Sequence, residues 1–194
     1  MNGKTAVLTP NNSNRDFSSS QKCYIDPVVL SIFQRILLIN NGTITDLIET
    51  YTGESIKVKK LSENIMKLND KLLPMQLNEG AVVLDRKILL QGGISGRNYI
   101  YAESIIALER LDEQIREDLL TTKKPIGKIW LENKVEIFKE NLETGKVPAQ
   151  DLAHYFDIAP DENLLCRTYC VLSNRNYTMM ITEKFPESYF IRQF

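Results

Sequence analysis

The chain has 194 residues, with 24 Lys and Arg against 25 Asp and Glu, three cysteines and one histidine. So balanced a charge gives no field to steer nucleic acid or an anionic membrane, and no apolar run approaches the ~20 residues of a membrane helix. The length suits one domain with a sizeable core, and the N-terminus lacks the apolar stretch of a secretory signal, so a cytoplasmic protein is expected.

Residues 1–22, rich in Asn, Ser, Thr and Lys, read as a flexible tail ahead of a single domain over 23–194. Asp26 as cap and Pro27 at the first helical position open a helix. Its apolar residues Val29, Ile32, Phe33, Ile36 and Leu37 fall at helical spacing. It stops at Asn40-Asn41-Gly42, where Gly42 can take the left-handed conformation. Thr43 starts a second helix with Asp46 three residues on and Leu47, Ile48 and Tyr51 inward. Gly53 ends it, completing a helical hairpin.

Alternation from Ile56 through Ile65 marks a strand, and Pro74 breaks the chain before the next, Ala81–Leu90. Gly92, Gly93 and Gly96 form a loop, and Asn98–Ala107 returns as a strand. Asp112–Thr121 has helical spacing with Ile115 and Leu119 inward. Pro125-Ile126-Gly127 opens a short helix toward Trp130 and Leu131, whose first N–H groups suit a carboxylate. Val135–Thr144 fits a strand or a helix, with Gly145 and Pro148 closing it, and a short helical stretch covers Gln150–Phe156.

Leu164–Ser173 and Tyr177–Phe185 make an antiparallel hairpin around Asn174-Arg175-Asn176. A three-residue loop pairing Ser173 with Tyr177 puts Arg167 opposite Glu183. It also sets Leu165, Tyr169 and Val171 beside Phe185, Ile181 and Met179, and is preferred for that reason. A two-residue loop would send Arg167 and Glu183 to opposite faces.

Two ionisable residues stand out because alternate strand residues share a face. Arg86 lies with Val82, Leu84, Ile88 and Leu90, and Glu183 with Met179, Ile181 and Phe185. Burying either charge is costly without a partner. One outcome is a pocket in which arginine fixes an anion and the carboxyl moves protons; the other is a structural ion pair. Glu103 is a third ionisable residue and a further site candidate, on a face with Tyr99, Tyr101 and Ile105, where bridging to a basic neighbour is the commoner fate. Cys166 and Cys170 on one strand are roughly 13 Å apart at ~3.3 Å per residue, beyond disulfide reach. With His154 the only imidazole, no metal cluster and no His-dependent nucleophile is expected.

Several segments together resemble the chorismate pyruvate-lyase family: Leu84-Asp85-Arg86-Lys87-Ile88-Leu89-Leu90, Tyr101-Ala102-Glu103-Ser104, Pro125-Ile126-Gly127, Arg167-Thr168-Tyr169 and Ile181-Thr182-Glu183-Lys184-Phe185-Pro186. The likeness runs from about Ile36 to Pro186 and is nearest to the branch long catalogued as a domain of unknown function. It implies an α+β fold, a single antiparallel sheet flanked by helices, with the ligand buried under flaps. It implies a cofactor-free lyase giving 4-hydroxybenzoate and pyruvate from chorismate, with neither nucleic acid nor membrane as partner. By the same resemblance Arg86 holds the ring carboxylate and Glu183 contacts the ring hydroxyl. The N–H of Ile126, beside Gly127, assists, and a second backbone contact comes from the turn at Gly42 and Thr43. The chain departs from the enterobacterial type in having Glu103 where that type has arginine, and Gly42 where it has a bulky apolar residue.

Chorismate carries two carboxylates, so its site needs donors for each; Arg86 is the candidate for the first and Arg167 for the second. The alternative function is a non-catalytic sensor of aromatic carboxylates, since effector domains of certain bacterial regulators share this fold. Against it, the first ~25 residues are too short and polar for a DNA-binding domain. Quinone-ring and phenolic-lipid synthesis both suit the implied product.

Overall fold

Six antiparallel strands form one sheet in the order β1-β2-β3-β6-β5-β4. The structure is a computed structural model and describes residues 25–191; the expected tail over 1–22 lies outside the described residues. The elements are α1 (Ile32–Ile39), α2 (Ile44–Thr52), β1 (Ile56–Lys67), β2 (Val82–Gly92), β3 (Asn98–Ile106), α3 (Glu113–Thr121), α4 (Ile126–Glu132), β4 (Phe138–Pro148), α5 (Ala153–Phe156), β5 (Asn163–Ser173) and β6 (Asn176–Pro186). The α+β class and the antiparallel sheet expected from the sequence are present. No helix among the described residues is long and apolar enough to cross a membrane.

The first helix begins later than expected. Pro27–Val29 is a separate 3-10 turn, in which Asp26 Oδ1 accepts from the Val28 N–H. Ser31 then caps α1 through a capping box: its Oγ accepts from Gln34 N–H at 3.1 Å while Gln34 Oε1 accepts from Ser31 N–H at 2.9 Å. That reciprocal pair satisfies two orphan donors and outcompetes the lone Asp26 cap. Gly42 does not use its left-handed freedom, because α1 ends on an extended Asn40 whose Oδ1 accepts the Gly42 N–H at 2.9 Å. Gly53 does end α2 at φ 72°.

The segment that fitted either strand or helix is β4, which runs through Gly145 rather than stopping there and carries a bulge between Asn141 and Glu143. The last hairpin also departs from expectation. Its turn has two residues, Asn174 and Arg175, both with positive φ and closed by Ser173 opposite Asn176. A bulge at Thr178 then adds one residue, so Val171 faces Met179 and Arg167 faces Glu183 after all. Thr178 Oγ1 donates to Val171 O at 3.2 Å and its carbonyl accepts from Ala107 N–H at 2.9 Å, which fixes the extra residue in place.

One sheet face carries two apolar clusters. Leu37 and Leu38 of α1 and Ile44 and Ile48 of α2 pack with Leu90, Ile100 and Phe185. Ile115 and Leu119 of α3 and Ile129 and Trp130 of α4 pack with Leu84, Ile106, Tyr169 and Met179. The opposite face is covered at one end by Met75 and Leu77 against Val83, Ile105 and Met180.

Candidate active site

Between those two clusters lies a cavity enclosing about 580 Å³ of empty space, its mouth included. Its floor is the sheet face read from the sequence: Arg86, Ile88 and Leu90 of β2, Ala102 and Ser104 of β3, Ile181 and Glu183 of β6, and Tyr169 of β5. Thr43–Thr45 at the start of α2 form one lip, and Pro125–Gly127 and Trp130 form the other. The lips touch closely: a Cβ built on Gly127 would lie 2.5 Å from Thr43 Cγ2, so only glycine lets α4 approach this near.

Arg86 is 3% exposed, and its Nε and Nη2 have no hydrogen-bond partner among the described residues. Its nearest counter-charge is Glu63 Oε1, opposite it on β1 at 4.0 Å, itself without a hydrogen bond. Burial lowers the guanidinium pKa and Glu63 only partly opposes this. A desolvated guanidinium with two unpaired donors, lining a cavity, is a candidate anion seat.

Glu183, by contrast, has a donor on each oxygen. Its Oε2 accepts from Arg167 Nε at 2.6 Å and its Oε1 from the Tyr169 hydroxyl at 3.0 Å. Arg167 is 1% exposed, gives Nη1 to the Asn40 carbonyl at 2.8 Å and lies over the Tyr169 ring. Burial pulls the Arg167 pKa down, but Glu183 and Tyr169 together more than offset it and the net shift is upward. Burial, and then Glu183, push the Tyr169 hydroxyl well above its ordinary value, so it stays a neutral donor.

The structure therefore brings Arg86, Glu183, Thr43, Ile126 and Gly127 to one cavity. It separates the other three candidates. Arg167 stands behind Glu183 and does not line the space. Gly42 turns its carbonyl to the Lys139 ammonium at 2.6 Å. Glu103 sits on the other face of the sheet, opposite Lys87 and Thr182, and accepts from the Tyr101 hydroxyl at 2.7 Å. Strand parity forbids it from reaching a cavity lined by Ala102 and Ser104. The anticipated structural pair exists, but it joins Glu183 to Arg167 and leaves Arg86 out.

Lys139, unforeseen from the sequence, lines the cavity at 6% exposure, with its Nζ 4.9 Å from the Tyr169 ring centre and 5.9 Å from that of Trp130. Burial pulls its pKa down to about 8, with Glu183 opposing and Arg167 assisting. The only signal for it was the parity of a segment whose helix-or-strand character stood open. Among the described residues no group of His, Cys, Asp and Glu could hold a metal ion.

Comparison with known proteins agrees with this architecture. A chorismate pyruvate-lyase from Mycobacterium tuberculosis is 32% identical over 163 residues, covering 80% of each chain. Among solved structures, PhnF from Mycobacterium smegmatis superposes with a TM-score of 0.63 at 9% identity, over 76% of this chain and 65% of that one. A GntR-family transcriptional regulator from Enterococcus faecalis gives a TM-score of 0.54 at 10% identity, over 71% and 96%. These two likenesses concern the fold alone. The sequence model described as "Chorismate pyruvate-lyase Rv2949c-like" matches residues 38–192. With most of its length inside that match, the chain belongs to the Rv2949c-like chorismate pyruvate-lyase family.

Proposed function

We propose that the chain is itself a chorismate pyruvate-lyase, converting chorismate to 4-hydroxybenzoate and pyruvate without a cofactor. The carrying observation is the buried Arg86 guanidinium, unpaired at Nε and Nη2, on the wall of an apolar cavity that Glu183 also lines. In this reading Arg86 takes the ring carboxylate by charge-assisted hydrogen bonds. Ile126 and Gly127 line the same cavity, and their N–H groups, in the first turn of α4, have no helical acceptors. Glu183 meets the ring hydroxyl, held in orientation by Arg167 and Tyr169. A carboxylate has about four acceptor sites, so the two donors leave room for that hydroxyl.

The reaction needs little covalent help. The proton on the ring carbon bearing the hydroxyl leaves, its electron pair completes the aromatic ring, and the neighbouring bond to the ether oxygen breaks. The departing enolate of pyruvate takes up a proton at its methylene carbon. Aromatisation drives the step, so holding the ring with the C–H and C–O bonds aligned supplies much of the rate. Dry walls formed by Ile88, Leu90, Ile181 and Trp130 strengthen each polar contact. The balanced charge suits reaction in the cytoplasm, with the product available to quinone-ring or phenolic-lipid synthesis.

The test is incubation of the purified chain with chorismate, following 4-hydroxybenzoate by absorbance and pyruvate by a coupled enzyme. Turnover is expected in the wild type. It should fall roughly 100-fold or more in Arg86→Ala and Glu183→Gln, since each removes a charge-assisted contact. Circular dichroism first establishes that both variants fold. Binding of 4-hydroxybenzoate with no turnover would instead make the chain a sensor.

A further inference from the structure

β4 presents its side chains against the usual pattern: Phe138 is 64% exposed while Lys139, its neighbour, is 6% exposed. Lys139 faces Val171 in the register with β5, and so shares a sheet face with Tyr169 and Arg167. Its ammonium has three donors. One goes to the Gly42 carbonyl at 2.6 Å, and among the described residues no carboxylate lies within ion-pair distance. The Tyr169 and Trp130 rings flank it and offer no full negative charge.

We propose that Lys139 binds the second carboxylate of the substrate, the one on the enolpyruvyl group. The assignment rests on the chorismate reading and moves to Lys139 the role that the sequence suggested for Arg167. Arg167 is committed elsewhere, with Nε on Glu183 and Nη1 on Asn40, and does not line the cavity. Lys139 does line it, as a buried cation with no carboxylate within ion-pair distance among the described residues. Such a group is costly to keep unless something anionic joins it. Burial has drawn its pKa to about 8, and an arriving carboxylate would restore it. With Arg86 and Lys139 both lining it, the cavity offers a cation for each carboxylate of a dicarboxylate, while Glu183 keeps to Arg167.

A purely structural role is the competing account. An inward-pointing lysine can blunt an edge strand, and the bond to Gly42 steadies the turn between α1 and α2. Chorismate kinetics and 4-hydroxybenzoate inhibition, measured on the full chain as wild type, Lys139→Met and Lys139→Arg, separate them. The product lacks the enolpyruvyl carboxylate and so serves as the control ligand. In Lys139→Met, KM for chorismate should rise roughly 10- to 100-fold while kcat and the 4-hydroxybenzoate inhibition constant stay within roughly threefold. Lys139→Arg should recover most of the lost KM. Equal weakening of both ligands would overturn the proposal in favour of the Gly42 turn, and no change in either would overturn it in favour of the edge-strand role. A wild type that neither turns over nor binds chorismate defeats the chorismate reading itself and the assignment with it; that outcome is read from the wild type alone.

Discussion

Three buried cations in or beside this cavity are stabilised in three different ways, and stability should report the difference. Arg167 has a carboxylate at 2.6 Å and a carbonyl at 2.8 Å, whereas Arg86 has only the partly buried Glu63 at 4.0 Å. Lys139 has one carbonyl and two ring faces. Its pKa falls from 10.5 to about 8 on folding. At 1.36 kcal/mol per unit this is about 3 kcal/mol against the charged form. Below pH 8 both folded and unfolded chains carry the proton, and the whole penalty is present. Between about 8 and 10.5 the unfolded chain binds the proton and the folded one does not, so stability rises with pH. Lys139→Met should therefore stabilise the ligand-free protein at pH 7 by about 2 kcal/mol, after about 1 is returned for the lost bond to Gly42. The advantage should shrink by pH 10. Urea unfolding at the two pH values checks this, and a variant less stable at pH 7, or a gap indifferent to pH, contradicts it.

At the scale of elements, the closure of α4 on the start of α2 hangs on one hydrogen atom. An added Cβ at Gly127 would meet Thr43 Cγ2 at 2.5 Å and Oγ1 at 3.3 Å. Ala is otherwise favoured over Gly in a helix by about 0.5–1 kcal/mol, yet here the overlap should dominate and cost about 1–3 kcal/mol. Thr43 makes no side-chain cap bond, so Thr43→Ala alone should be mild. The double variant should recover most of what Gly127→Ala loses, a coupling measurable by thermal unfolding as a double-mutant cycle. Additive losses would mean that the two lips do not bear on each other. Such contacts were not legible in the sequence, because they depend on how far apart two elements sit. What was legible followed strand parity: the faces of Arg86 and Glu183 needed only alternation. The pairing of Arg167 with Glu183 was anticipated through the wrong turn, since a tight Asn174-Arg175 turn and the Thr178 bulge together give the same offset as a longer loop. Lys139 escaped notice because hydrophobicity argues for Phe138 inward, and on this edge strand, where Lys139 lines the cavity and Phe138 is exposed, that argument runs backwards.

At the scale of the molecule, the cavity separates two groups of apolar contacts that share the sheet but not their helices. Ile44, Ile88 and Leu90 belong to the group under α1 and α2; Trp130, Tyr169 and Ile181 belong to the group under α3 and α4. A ligand seated on Arg86 touches both walls and should tie the groups into one cooperative unit. Linkage gives its size: at a hundredfold excess over Kd, product binding adds about 2.7 kcal/mol. For a chain of this length each kcal/mol moves Tm by about 2–4 °C, so 4-hydroxybenzoate should raise Tm by roughly 5–10 °C. Hydrogen exchange should slow most at Thr43–Ile48 and Ile126–Trp130, the helical turns that carry the two lips. Arg86→Met should abolish both effects, because it removes the anion seat while filling its space with an apolar chain. Lys139→Met should keep them, because the product has no second carboxylate to miss. Protection confined to the uncovered face around Glu103, or a Tm shift that survives Arg86→Met, would place the ligand somewhere other than between the two groups.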